Sequence, residues 1–280
     1  MPERASFLDG EWLAARLSRT SREVLFILIT LAGIVATFAR PPVIQMQVYN
    51  HFADARAYFG IPYFLDVVSN VPLLVVGVAG LAFLRRSRAP RFKTAFSDAS
   101  EAWCYRVLFT GVALASLGSS YYHFAPSDNR LVWDRLPMTI IFMSWLAATI
   151  GERIDRSLGL RLLPLLVGLG IYSIIYWHVT ELRGSGDLRV YVDVQYLSTL
   201  AIPLLSILFP SRYTRSKTVF LVVAVYLVAK SFELLDAQIY ALGHILSGHT
   251  LKHLTAAAAS YLILGMLYKR TLVPDLPAMV

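Results

Sequence analysis

SGHTLKHLTAAAASYLILGMLY, residues 247 to 268, has the length and apolar character of a membrane-crossing helix, yet its first turns carry His249, Lys252 and His253. A hydrocarbon core of ~30 Å is crossed by ~20 apolar residues. Ionisable residues inside such a run are costly, and by default they signal function. An i, i+4 spacing puts both imidazoles on one helix face, one turn apart, which is the geometry two ligands of one metal ion need.

The rest of the chain has the same character. Of 280 residues, 56% are hydrophobic and only 16% charged. The mean hydropathy of +0.57 and the long apolar runs exclude an ordinary soluble domain and indicate a polytopic membrane protein. Eight spans are expected, at 24–39, 61–84, 104–124, 132–150, 158–177, 190–209, 218–235 and 249–268. With the N-terminus in the cytoplasm, the inside segments hold seventeen Lys and Arg and the outside segments six. This asymmetry supports both termini inside. The first span follows a long polar stretch and has no A-x-A site after it, which reads as an uncleaved anchor. The net charge of +8 is explained by the loops. With no basic stripe interleaved with aromatics, nucleic acid is dropped as a partner. One cysteine, Cys104, allows neither an internal disulfide nor a thiolate cluster, so a metal site must use His, Asp or Glu.

A third candidate ligand lies at the same depth. The third span ends in GSSYYHFAP, which places His123 at its outer end, with Ser119 one turn earlier on the same face. The eighth span begins at the outer end. Asp134, in VWDRLPM, is expected to open the fourth span just after the turn APSDN. Three neutral imidazoles plus water make an open catalytic zinc site. Asp134 could then act as general base and acid, with Ser119 orienting the water or the oxyanion. Lys252 is expected to point away from the histidine face and snorkel to the interface. Two other readings stand beside this one: histidines resting at a wet interface, and a bis-histidine haem, which places its ligands deeper.

Ser-x3-His on one span, Asp at the start of the next and His-x3-His on the last resemble the CREST superfamily. The stretches 49–77, 118–138 and 232–254 are most similar to its alkaline ceramidase family, bacterial branch. The resemblance covers about residues 48–268. It implies an all-α polytopic membrane helix bundle, a seven-span core with one extra N-terminal span. The chain then divides into 1–47, a cytoplasmic tail and extra span; 48–268, the ceramidase-like domain; and 269–280, a cytoplasmic tail. It implies Zn2+ on His123, His249 and His253, with Asp134 and Ser119 catalytic beside a metal-bound water. The implied reaction is hydrolysis of a ceramide-like N-acyl amine taken from the bilayer, releasing a fatty acid and a sphingoid-type amine. Eukaryotic members carry an acidic calcium-binding segment before the first core span. Here Asp54 and Asp66 are too few to carry a Ca2+ site over. Asp66 and Asn70 read equally well as interhelical hydrogen-bonding groups. Glu233 is expected to pair with Lys230, and structural roles are expected for Asp193, Glu233 and Asp236.

Two competitors remain. One is a receptor or sensor on the same scaffold with a structural zinc site. The other is a transporter, which the lack of paired broken spans in two matching halves disfavours. The expected location is a bacterial inner membrane, with the site toward the outer face.

Overall fold

The computed structural model describes residues 10–86 and 89–273. Arg4, Arg88 and the tail beyond residue 273 lie outside the described residues. Among those described, regular structure is helical, with only two isolated β-bridges. Eight long helices carry the fold: α1 Arg19–Phe38, α2 Phe64–Arg85, α3 Ala102–Phe124, α4 Asp128–Arg153, α5 Arg156–Leu182, α6 Arg189–Leu208, α7 Thr218–Leu234 and α8 Gly248–Lys269. Six of them, all but α3 and α7, are long and apolar enough to cross a membrane.

The two exceptions have separate causes. The 17 residues of α7 rise about 25 Å. The 23-residue α3 carries more polar groups, and they turn inward: Ser116, Ser119 and His123 are all buried. It packs between α2 and α4, and the ring closes through α6, α7 and α8, which packs back on α2. The outer helix α5 lies against α4. The peripheral helix α1 leans on α6, where Thr37 Oγ1 donates to Asp193 Oδ1 at 2.6 Å.

Helix starts follow local chemistry. Ser127, Asp155 and Ser247 each accept a backbone N–H of the first turn of α4, α5 and α8, satisfying a donor that the helix itself cannot. The Ser127 cap starts α4 four residues before the expected boundary. Asp134, expected at the mouth of its span, is therefore nearly two turns inside the helix and buried.

Several cations counted as loop charges are instead folded into helix ends. Arg22, Arg135, Arg153 and Arg270 are all buried. Arg153 donates to Phe209 O at 2.7 Å and Arg22 to Leu208 O at 2.9 Å. Arg270 bonds Glu152 at 2.5 Å and Ala95 O at 2.7 Å. These contacts satisfy carbonyls at helix ends and pin the end of α8 to α4.

The contact that fixes α3 against α4 depends on one proline and one glycine. Pro137, inside α4, has no N–H for the carbonyl four residues earlier, which belongs to Trp133. Against that freed carbonyl lies Gly118 of α3, where an added Cβ would come within 2.0 Å of Trp133 O. No residue larger than glycine fits without moving the backbone that carries Asp134. Gly118→Ala should therefore destabilise the detergent-solubilised protein by about 1–3 kcal/mol, as overpacking of a rigid contact does. Gly168→Ala is the matched control in α5, since its Cβ would meet nothing within 4 Å; it should be neutral or stabilising by about 0.5–1 kcal/mol. Thermal unfolding of both variants checks this.

Candidate metal centre

The start of α8 is driven deep into the bundle by close backbone packing. A Cβ on Gly248 would lie 2.2 Å from Phe232 O and 2.7 Å from Asp236 Cα. Asp236 Oδ1 accepts the His249 N–H at 2.8 Å, and its Oδ2 accepts the Ala53 N–H at 2.9 Å. This carboxylate thus caps α8 from outside the helix and holds the segment before α2 beside it.

His249 and His253 meet His123 here. The three rings form a nearly equilateral group, with centroids 4.6, 4.9 and 4.8 Å apart. All three side chains are buried. Their ligand atoms lie within 4.8 Å of one another, and among the described residues this is the one group of three or more His, Cys, Asp or Glu able to hold a metal ion. His123 Nε2 and His249 Nε2 are 3.2 Å apart. Two nitrogens bound to one tetrahedral ion at ~2.0–2.1 Å stand about 3.3 Å apart, so the pair is already at ligand spacing. A donor set of three imidazoles is compatible with Zn2+, and it also suits Cu, Fe or Ni.

The surrounding groups orient the rings. His253 Nδ1 is 2.8 Å from Ser69 Oγ, and Ser69 Oγ donates to Asp66 O at 3.2 Å. With its proton committed to that carbonyl, the hydroxyl accepts from Nδ1–H, which leaves the His253 Nε2 lone pair facing the triad. Such second-sphere bonds fix the tautomer of a ligating histidine. Ser119 Oγ lies 3.4 Å from His253 Nε2. From the segment before α2, Phe52 sets its ring edge-on to His123 and His249, with both centroids at 4.5 Å.

Ser119, Asp134, Lys252 and His253 also line one cavity of about 110 Å³, whose other walls are largely apolar, including Leu73, Phe142, Trp145, Val222, Tyr226 and Ile263. The five residues singled out from the sequence therefore fall at one end of the bundle: three in the triad, with Ser119 beside it and Asp134 in the adjoining cavity wall.

Lys252 departs from expectation. It does not snorkel; it is 8% exposed. Its Nζ lies 2.7 Å from Glu233 Oε1 and 3.3 Å from His249 Nε2. Glu233 also pairs with Lys230, as expected, and accepts from Tyr49 Oη at 2.9 Å. A buried ammonium needs a carboxylate, and the nearest lies across on α7 rather than at the interface.

Asp66 acts in hydrogen bonding between elements: Oδ1 accepts from Thr250 Oγ1 at 2.7 Å and from Ser247 Oγ at 3.2 Å. Asp54 bonds Arg56 at 2.7 Å through both oxygens. Burial opposes its ionisation, but the bonds from Arg56 outweigh that and hold the carboxyl below the usual range. Phe52, Ser69 and the Lys252–Glu233 pair were not singled out from sequence as site groups. Only the pair left a signal, a cation inside an apolar helix.

No protein-family model matches the chain, and no curated protein shows significant similarity to it. The fold and site define a helical bundle with six membrane-crossing candidates and a buried tri-histidine group able to bind a metal ion.

The pairing of Lys252 gives a test of the centre. Glu233→Gln should lower metal occupancy, because it leaves an uncompensated ammonium 3.3 Å from His249 Nε2. Glu233→Gln/Lys252→Met should restore it. Elemental analysis of the purified variants measures both.

Proposed function

We propose that the protein is a zinc-dependent intramembrane lipid amide hydrolase, ceramidase-like, acting on an N-acyl amine. One observation carries this reading: Ser119, Asp134 and His253 line the same cavity, and its remaining wall is largely apolar. A long acyl chain fits such a wall, and the polar groups gather where an amide would be held.

In this reading the seven-span core is α2 to α8, with α3 and α7 also crossing, and α1 is the extra N-terminal span. The inward-facing polar side chains of α3 and the peripheral packing of α1 favour that count. The loop charges favour cytoplasmic termini, with the triad toward the outer face, and the resemblance to bacterial ceramidases favours a bacterial inner membrane.

His123, His249 and His253 would hold the zinc ion. When bound, it lowers the pKa of water toward ~7 and polarises a carbonyl. The residues of the chain do the rest. The Asp134 carboxylate takes a proton from the attacking water as its oxygen bonds the amide carbon. Ser119 Oγ–H donates to the carbonyl oxygen as that oxygen becomes negative. The C–N bond then breaks, and Asp134 returns its proton to the departing amine nitrogen. The products are a fatty acid and a free amine. The apolar wall excludes bulk water, which strengthens each of these polar contacts.

The second reading, a receptor or sensor with a structural metal site, rests on the same triad and needs neither Asp134 nor Ser119 for chemistry. Asp134→Asn separates the two. The parent should carry about one zinc per chain, by the ligand count of the triad, and His249→Ala/His253→Ala should carry none. Asp134→Asn should keep its metal yet lose about 10²–10⁴-fold in hydrolysis of a ceramide-type lipid. Ser119→Ala should lose about 10–10³-fold. A metal-loaded parent that cleaves no lipid amide sinks the hydrolase reading and leaves the receptor; a metal-free parent sinks both.

A further inference from the structure

At the opposite end of α8 a second, larger cavity opens to the side of the bundle. Gly265 and Lys269 lie twelve and sixteen residues beyond His253, about 18 and 24 Å along the helix. The cavity there is about 760 Å³, toward the upper part of the ~300–1,000 Å³ range of ligand pockets. Its floor is apolar or small, with Ala79, Ala82, Phe83, Leu221, Leu262 and Gly265 from α2, α7 and α8. A Cβ on Gly265 would meet nothing within 4 Å, so the groove reaches the helix backbone itself.

Four cations stand around this floor, from four separate places in the chain. Arg86 follows α2, Arg91 lies in the short helix Pro90–Ala95, Arg215 precedes α7, and Lys269 ends α8. No Asp or Glu lines the groove, and among the described residues none of these four forms an ion pair. This contrasts with Arg22, Arg153 and Arg270, which are buried and bonded. Two of the cations have a defined setting. The Thr214 N–H donates to Thr271 O at 2.9 Å, tying the strand of chain before Arg215 to the end of α8. Arg215 takes φ +63°, a left-handed backbone that glycine would adopt with less strain. Arg91 lies 5.8 Å from the Tyr268 ring centroid.

We infer that this groove is a binding site for an anionic phospholipid, with acyl chains on the apolar floor and the phosphate among Arg86, Arg91, Arg215 and Lys269. Charge complementarity selects the headgroup, because four unpaired cations at one point of a bilayer edge attract a fixed anion. The depth at Gly265 selects chains rather than a soluble anion. The alternative, that these residues only set topology, requires no groove.

The test uses the full chain in mild detergent, with dioleoylphosphatidylglycerol, dioleoylphosphatidylcholine and inorganic phosphate as probes. Retained lipid is read by native mass spectrometry and stabilisation by thermal shift. The parent should retain phosphatidylglycerol in preference to phosphatidylcholine. Arg86→Gln/Lys269→Gln should weaken that retention by about thirtyfold, as loss of two headgroup-facing charges implies. Gly265→Leu keeps every charge, fills open space and should weaken it too. Equal retention of the two lipids by the parent, an unchanged preference in Arg86→Gln/Lys269→Gln, or unchanged retention in Gly265→Leu overturns the proposal. So does displacement by inorganic phosphate at equal concentration, which would make the site one for a free anion. None of these readouts depends on metal or hydrolysis at the histidine end.

Discussion

The histidine triad exists because α8 begins against bare backbone. Gly248 lets its first turn lie on the carbonyl of Phe232 and the Cα of Asp236, and the Asp236 carboxylate then takes the His249 N–H. Any side chain at residue 248 would hold α8 off α7. His249 would move with it, and the 3.2 Å spacing to His123 would open. The cap Ser247 contributes on the other side, since its hydroxyl bonds Asp66 as well as the α8 backbone. The same contacts that close the helix end therefore set the ligand spacing.

Burying three imidazoles beside a lysine creates an electrostatic problem that the fold solves with one carboxylate. Glu233 faces Lys252, Lys230 and Tyr49 at once. In a low-dielectric interior an unpaired ammonium is several kcal/mol less stable than a paired one, so Glu233 sets the charge balance of the entire site. It also ties α7, α8 and the segment before α2 into one unit. Phe52, on that segment, covers the triad edge-on; the site is closed by packing rather than by a separate domain.

Polarity is distributed unevenly along the bundle. At one end, polar groups are buried and cross-bonded around the histidines. At the other, Arg270 is buried and bonded to Glu152, while Arg86, Arg91, Arg215 and Lys269 stand around an apolar groove. Both features are joined by α8, whose middle is alanine-rich and lets α2 and α7 pack closely on it.

Much of this was legible in the sequence. Apolar runs separated by basic loops located all eight helices, because span length and composition are local properties. The i, i+4 pair at His249 and His253 and the Ser-x3-His at 119 and 123 placed the site groups on helix faces, because helical periodicity is local too. Which partner each buried charge finds was not legible. Lys252 reads as a snorkelling residue until α7 brings Glu233 across to it. Arg135, Arg153 and Arg270 read as loop charges until neighbouring helix ends bury them. Asp134 reads as a mouth residue until the Ser127 cap starts α4 four positions early. Phe52 carries no signal at all, since one aromatic among fifteen phenylalanines says nothing of what it covers. Hydropathy and periodicity are properties of a segment, so the sequence alone determined the helices and the faces of the site. Pairing energy and close backbone approach belong to two segments at once, and only the tertiary structure could decide them.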